Sequence, residues 1–220
     1  MKKVIKLVLT KGRIEERAVE ILHESGYDVK ELTDKGRKLL FKINKTANDT
    51  GEINEIEVVL AKAADVVTYI EHGVCDVGIV GKDTIMEYGK SFYEVLDLNF
   101  GECKFSLAGI KGKNFYDGYN QKVVATKYPN VTKKYFMEKG YDVEIVKIDG
   151  SVEIAPLLGL ADGIVDIVGT GETLRENGLE VYEDIAHISS RMIVNKASIK
   201  MKKNEIDAFI RTVEAIINRQ

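Results

Sequence analysis

The chain has 220 residues, 45% hydrophobic and 30% charged, with a formal net charge of -3; the length suits one large domain or two lobes, and the composition is that of an ordinary soluble globular protein. The charge balance gives no general basis for binding nucleic acid, no run approaches the ~20 apolar residues that span a membrane, and the N-terminus lacks the pattern of a signal peptide. Two cysteines, Cys75 and Cys103, make neither a disulfide framework nor a metal site, and both are expected reduced and buried in a cytoplasmic protein.

Val4 to Leu9 reads as a short strand. The turn Thr10-Lys11-Gly12-Arg13 follows, then a helix whose apolar positions Ile14, Ala18, Ile21 and Leu22 keep helical spacing up to Gly26. Val29 to Leu32 is expected as an edge strand, Leu39 to Ile43 as a strand, Lys45 to Asn54 as a loop or hairpin tip, and Ile56 to Ala61 as a strand. Ala63 to His72 is a helix closed by Gly73. The apolar strand Val77 to Val80 then turns through Gly81-Lys82-Asp83-Thr84 into a helix ending at Gly89. Further strands are expected at Tyr93–Leu98, Cys103–Ile110, Val123–Thr126, Val143–Ile148, Ile164–Val168, Val181–Ile185 and Ser189–Val194. Helices are expected from Tyr128-Pro129 to Lys139, over Val152–Leu160 and over Leu174–Asn177. A last helix from Lys196 to Arg219 shows an apolar face of Met201, Ile206, Phe209, Ile210, Val213, Ile216 and Ile217.

Strands alternating with helices give an α/β class with mainly parallel sheets. A partial repeat points to two similar lobes. Asp76-Val77-Gly78-Ile79-Val80-Gly81 and Asp162-Gly163-Ile164-Val165-Asp166 are each an acid, an apolar strand, a glycine turn and a helix. A cleft between such lobes, lined by strand ends and helix N-termini, is the expected place for a ligand.

Chemistry concentrates in two turns. After Ile164–Val168, the turn Gly169-Thr170-Gly171 leads into Glu172 and Thr173. This arrangement aims backbone N–H groups at an anion; it also suits a plain strand-to-helix connection with a Thr cap. Asp166 inside the apolar strand either reaches water at the strand's end or accepts from ligand hydroxyls, as acids at this position do for ribose. Glu153 either favours a helix dipole or belongs to the same site. Lys11, Gly12 and Arg13 put two cations at a helix start, against its dipole, which suits a pyrophosphate or triphosphate as well as a solvated surface. The sequence has no nucleophile elbow, P-loop, dinucleotide fingerprint or histidine cluster, so positioning and charge neutralisation are favoured over covalent catalysis.

In order along the chain, Thr10-Lys11-Gly12-Arg13, Gly36-Arg37-Lys38-Leu39, Asp65 to Glu71, Asp76 to Asp83, Val124-Ala125-Thr126-Lys127-Tyr128-Pro129-Asn130, Gly150 to Pro156 and Glu153 through Leu174 resemble the ATP phosphoribosyltransferase family, in its short form. The resemblance covers essentially the whole chain. It implies two α/β lobes of the periplasmic-binding-protein type II kind with an interlobe active-site cleft, one lobe from 1–95 plus 183–220 and one from 96–182. It implies transfer of the phosphoribosyl group of phosphoribosyl pyrophosphate to N1 of ATP with release of pyrophosphate, the first step of histidine biosynthesis. It implies Mg²⁺ held mainly by the substrates. The implied assembly is a homodimer within a hetero-oligomer with a regulatory subunit resembling histidyl-tRNA synthetase.

By position in the motifs, Asp166 would hold ribose hydroxyls and Thr170, Gly171, Glu172 and Thr173 the 5-phosphate, with Glu153 near the same substrate. Lys11, Gly12 and Arg13 would face ATP or its phosphates, and Arg37 and Lys62 would be the catalytic cations. Lys62 stands where the family usually has Arg, and Val67 where it usually has Pro. The competing reading is a ligand-binding module of the same fold without catalysis, which gives no reason for the Thr-Gly-Glu-Thr sequence.

Overall fold

The computed structural model describes residues 4–46 and 54–219; of the expected loop from Lys45 to Asn54, residues 47–53 lie outside them. The chain runs β1 (Ile5–Thr10), α1 (Arg13–Glu24), α2 (Lys30–Thr33), β2 (Leu40–Asn44), β3 (Glu55–Ala61), α3 (Ala63–Glu71), β4 (Val77–Gly81), α4 (Lys82–Tyr88) and β5 (Tyr93–Asp97). It continues through β6 (Cys103–Ile110), β7 (Lys122–Thr126), α5 (Pro129–Lys139), β8 (Val143–Lys147), α6 (Ile154–Leu157), β9 (Gly163–Val168), α7 (Glu172–Glu176) and β10 (Leu179–Ile188). It ends with β11 (Ser190–Val194), α8 (Ser198–Met201) and α9 (Lys203–Ile217). Among the described residues no helix is long and apolar enough to cross a membrane.

Two compact units form, Met1–Gly101 with Ser189–Gln220, and Glu102–Ile188. The divisions fall later than the expected 95/96 and 182/183 for a reason visible in the ladders. β5 pairs with β11 in the first unit's sheet, and β10 stays paired with β6 as far as Ile188. The first sheet has the order β2-β3-β1-β4-β11-β5 and the second β10-β6-β9-β7-β8. In each, three central or flanking strands run parallel (β3, β1 and β4; β9, β7 and β8) and the rest pair antiparallel. The inner parallel strands β1, β4 and β9 are nearly continuous apolar runs because both faces are covered: Leu7, Val8 and Leu9 are buried, as are Ile164 and Val165, whereas the outer β3 and β8 carry charged residues.

The expected repeat is built in three dimensions. The N–H of Asp76 donates to the carbonyl of Lys6 at 2.9 Å, and its carboxylate accepts from the N–H of Lys6 at 2.8 Å. Asp162 makes the same two bonds with Val123, both at 2.8 Å. Each acid thereby locks the start of one parallel strand to the start of its neighbour, which fixes the register on which the opposite, carboxyl end depends.

Two expected elements differ in kind or continuity. The Val29–Leu32 strand is instead the helical turn α2, started by the Asp28 carboxylate, which accepts from the N–H of Lys30 at 3.1 Å. The single C-terminal helix breaks at Lys202 (φ -125°), whose ammonium reaches the Val4 carbonyl at 2.7 Å and Asp76 at 2.6 Å. Met201 therefore lies outside α9 and is exposed, whereas Ile206, Phe209, Val213, Ile216 and Ile217 pack into the first unit's core. Cys75 is buried as expected, and burial pushes its thiol up to about 11, so it is unreactive; Cys103 is half-buried.

Candidate active site

In the first unit, the parallel register carries four cations towards one end of the sheet. Thr10 is the partner of Ala61, and the N–H of Lys11 donates to the Ala61 carbonyl at 2.9 Å, so Lys11 and Lys62 leave adjacent strand ends side by side. Gly12 follows at φ 99°, a conformation that favours glycine, and Arg13 opens α1. Arg37 comes to the same end because β2 runs antiparallel to β3. Leu40 is the partner of Val59, and the N–H of Leu60 donates to the Leu39 carbonyl at 2.9 Å. The loop that carries Arg37 is tied down by Lys35, whose ammonium pairs with the buried Glu15 on α1, a link with no sequence motif to announce it.

Lys11, Arg13, Arg37 and Lys62 are exposed, and among the described residues none has a side-chain ion pair or hydrogen bond. Unpaired cations gathered at the carboxyl ends of parallel strands suit a polyanion. Lys62 is also the N-cap of α3, its carbonyl accepting from the N–H of Val66 at 3.1 Å. Val67 is buried inside the same helix, packed in the smaller apolar cluster of the first unit.

In the second unit, β9 delivers Asp166 to the corresponding edge. Ser106 of β6 is its register partner, so the two side chains share one face of the sheet. Desolvation pushes the Asp166 carboxyl up to about 6; the Glu153 charge adds to this, while the Ile167 N–H and the Lys127 charge oppose it. The Ser106 hydroxyl is engaged elsewhere, donating to Asp184 at 3.1 Å. Among the described residues Asp166 is thus a carboxylate without a side-chain donor, which a ligand's hydroxyls would supply. Glu153 is half-buried and precedes α6, which is shorter than the expected Val152–Leu160 helix.

Beyond β9 the turn is held open. Gly171 has φ 71° and caps α7; the Arg175 guanidinium donates to the Thr170 carbonyl at 2.9 Å. The Thr170 hydroxyl accepts from the N–H of Glu172 at 3.4 Å, a long contact that leaves it available. Glu172 and Thr173 are exposed. Gly169, Thr170, Gly171 and Arg175 line a cavity of about 390 Å³ with Lys104, Ser106 and Asp184. Asp166, Glu172 and Thr173 are not among its lining residues. A larger cavity of about 520 Å³, lined by Val123, Asp162 and Tyr182 among others, lies at the amino ends of β7 and β9. It contains no candidate residue, and in parallel α/β sheets ligands bind at carboxyl ends. Arg175 and Lys127 were missed in sequence, since only the loop geometry and the strand register show where they go.

A family model described as HisG, ATP phosphoribosyltransferase, matches residues 62–215. The chain is 61% identical over 214 residues to an ATP phosphoribosyltransferase of Clostridium kluyveri, covering 97% of this chain and 94% of the relative. It is 56% identical over 218 residues to that of Clostridium acetobutylicum, covering 99% and 98%. The ATP phosphoribosyl transferase (HisG:HisZ) complex from Thermotoga maritima contains a chain of similar structure. The TM-score is 0.80 and the identity 32%, with 99% of this chain and 100% of the other covered. The fold is accordingly the α/β architecture of the periplasmic-binding-protein type II kind.

Proposed function

The chain belongs to the ATP phosphoribosyltransferase family, and from that premise we propose how its residues divide the reaction that joins N1 of ATP to C1 of phosphoribosyl pyrophosphate. The observation that carries the division is Asp166, a half-buried carboxylate in the carboxyl-terminal half of β9 whose carboxyl is pushed up to about 6 and which, among the described residues, has no side-chain donor. Asp166 accepts from the ribose hydroxyls, with Glu153 beside it. The N–H groups and hydroxyls of Thr170, Gly171, Glu172 and Thr173 take the 5-phosphate. The unpaired Lys11 and Arg13, with the open backbone at Gly12, take ATP phosphates. Arg37 and Lys62 act as the catalytic cations on the negative charge that grows during transfer.

The lone pair of adenine N1 forms the new bond to C1, the C1–oxygen bond to pyrophosphate breaks, and its electron pair leaves with the pyrophosphate. N1 is already a nucleophile, so the residues' main task is orientation and stabilisation of the leaving group. One well-placed donor of that kind contributes roughly 3–4 kcal/mol. We read a Mg²⁺ as carried by the substrates' phosphates, as such ions commonly are. When bound, that ion supplies further charge neutralisation to the leaving pyrophosphate.

The Thermotoga neighbour is a HisG:HisZ complex, and we read this chain as the catalytic subunit of such a hetero-oligomer, dimeric within it. The test is direct. The purified chain, with and without a HisZ-type partner, is given ATP, phosphoribosyl pyrophosphate and Mg²⁺. Phosphoribosyl-ATP is expected, and its absence from both mixtures would overturn the reading.

A further inference from the structure

One cation at the edge of the second unit's sheet is left over from these roles. Lys127 follows Thr126, the last residue of β7. The parallel register that pairs Thr126 with Val165 puts Lys127 beside Asp166. Its backbone is pinned there: the buried Thr126 hydroxyl donates to the Val165 carbonyl at 2.7 Å and accepts from the N–H of Tyr128 at 2.9 Å. Lys127 is exposed, and among the described residues its ammonium has no ion pair or hydrogen bond; it lies 6.0 Å from the Tyr128 ring centre. Two carboxylates, Glu153 and Asp166, stand at this edge, and Lys127 is the cation whose charge reaches Asp166. A polyanionic substrate brought against two carboxylates needs a positive group beside them.

We propose that Lys127 is a substrate-contacting residue that takes the pyrophosphate of phosphoribosyl pyrophosphate. The direction follows from the sheet order. The Gly169–Gly171 turn shares its cavity with Lys104, Ser106 and Asp184, on the β6 and β10 side of β9, whereas β7 lies on the other side. A ribose held at Asp166 with its 5-phosphate on the turn therefore points C1, and the pyrophosphate on it, towards β7. The first unit offers a parallel. Its Thr10 hydroxyl donates to the Ile79 carbonyl at 2.9 Å, and Lys11 follows, although this threonine stands one residue further along its strand relative to the acid that starts the neighbouring one.

The assignment rests on the functional reading above, and calorimetric titration separates the two. The full chain, assembled with its partner, is titrated with phosphoribosyl pyrophosphate, with inorganic pyrophosphate and with ribose 5-phosphate. Lys127→Met is expected to weaken the two pyrophosphate-bearing ligands about tenfold or more, the loss of one charge-assisted contact, and to leave ribose 5-phosphate unchanged. Lys127→Arg restores most of the affinity. Unchanged pyrophosphate affinity in Lys127→Met, or an equal loss for ribose 5-phosphate, overturns the assignment while the unaltered protein still makes phosphoribosyl-ATP. An unaltered protein that neither binds phosphoribosyl pyrophosphate nor forms product overturns the functional reading, and this assignment with it.

Discussion

Asp76 and Asp162 hold equivalent places in the two units, each clamping the second residue of the neighbouring parallel strand through both its N–H and its carboxylate. Their surroundings differ. Asp76 is buried and also accepts from the Ser198 hydroxyl at 2.7 Å and the Lys202 ammonium at 2.6 Å, whereas Asp162 is exposed. Removing Asp76 strands a half-buried ammonium, so Asp76→Ala is expected to cost about 3–5 kcal/mol. Asp162→Ala removes one exposed contact to a backbone N–H and should cost about 1 kcal/mol. Urea unfolding of the two variants measures the difference, and equal losses would show that Lys202 draws nothing from Asp76.

The Asp166 carboxyl links stability to pH. Its rise from 3.8 to about 6 corresponds to about 3 kcal/mol at 1.36 kcal/mol per pH unit. Because the folded-state value is the higher one, the folded protein binds the proton more tightly. The associated stability is present below 3.8 and lost as pH rises through about 6. Asp166→Asn should therefore unfold at a higher temperature than the unaltered protein at pH 7.5, with the gap closing as pH falls through that window. The same variant should lose turnover, because the carboxylate's acceptors for ribose hydroxyls are gone. Affinity of the unaltered protein for phosphoribosyl pyrophosphate should fall as Asp166 is protonated below about pH 6. A variant that is neither more stable at pH 7.5 nor less active would remove Asp166 from the site.

The glycines of the turn separate folding from binding. Gly171 at φ 71° would bring an added Cβ to 3.3 Å from the Arg175 guanidinium, so Gly171→Ala should cost roughly 1 kcal/mol or more of stability. A Cβ at Gly169 meets nothing within 4 Å. Gly169→Ala should change stability by no more than about 0.5 kcal/mol. It should nevertheless raise the KM for phosphoribosyl pyrophosphate, because the methyl group occupies the space through which a phosphate nears the backbone. An unchanged KM would mean that the phosphate does not approach this residue.

The parts of this architecture that were legible in sequence are those whose signal is local. The run Ile164–Val168 with its glycine turn reads directly as a strand leading to a helix, and Asp166 stands out because an acid interrupts an apolar strand. The acid-first repeat was visible as letters before its clamping bonds were. What was hidden depends on residues distant in sequence. The C-terminal helix breaks where Lys202 turns to reach Val4 and Asp76. β10 extends beyond the expected Val181–Ile185 and carries irregularities at Val181/Glu183 and Asp184/Ala186, which disrupt the alternation by which a strand is recognised. Lys127 looks like any surface lysine until the β7–β9 register brings it beside Asp166.

Lys62 tests whether a point charge has replaced a fork at the first unit's edge. It leaves β3 beside Lys11, is exposed, and among the described residues its ammonium is unpaired. A guanidinium at that position would make two parallel bonds to a phosphate, where the ammonium makes a single focused contact. If Lys62 meets substrate phosphate, Lys62→Ala should lower kcat/KM by about tenfold to a hundredfold, the loss of one charge-assisted hydrogen bond. Lys62→Arg should keep or raise it. Both variants should match the unaltered protein in thermal stability, since an exposed side chain without partners supports no part of the fold. A large loss in Lys62→Arg, with Lys62→Ala equally impaired, would mean that the surrounding geometry accepts only the slimmer ammonium. Full activity in Lys62→Ala would remove the residue from catalysis and leave Arg37 as the catalytic cation of this edge.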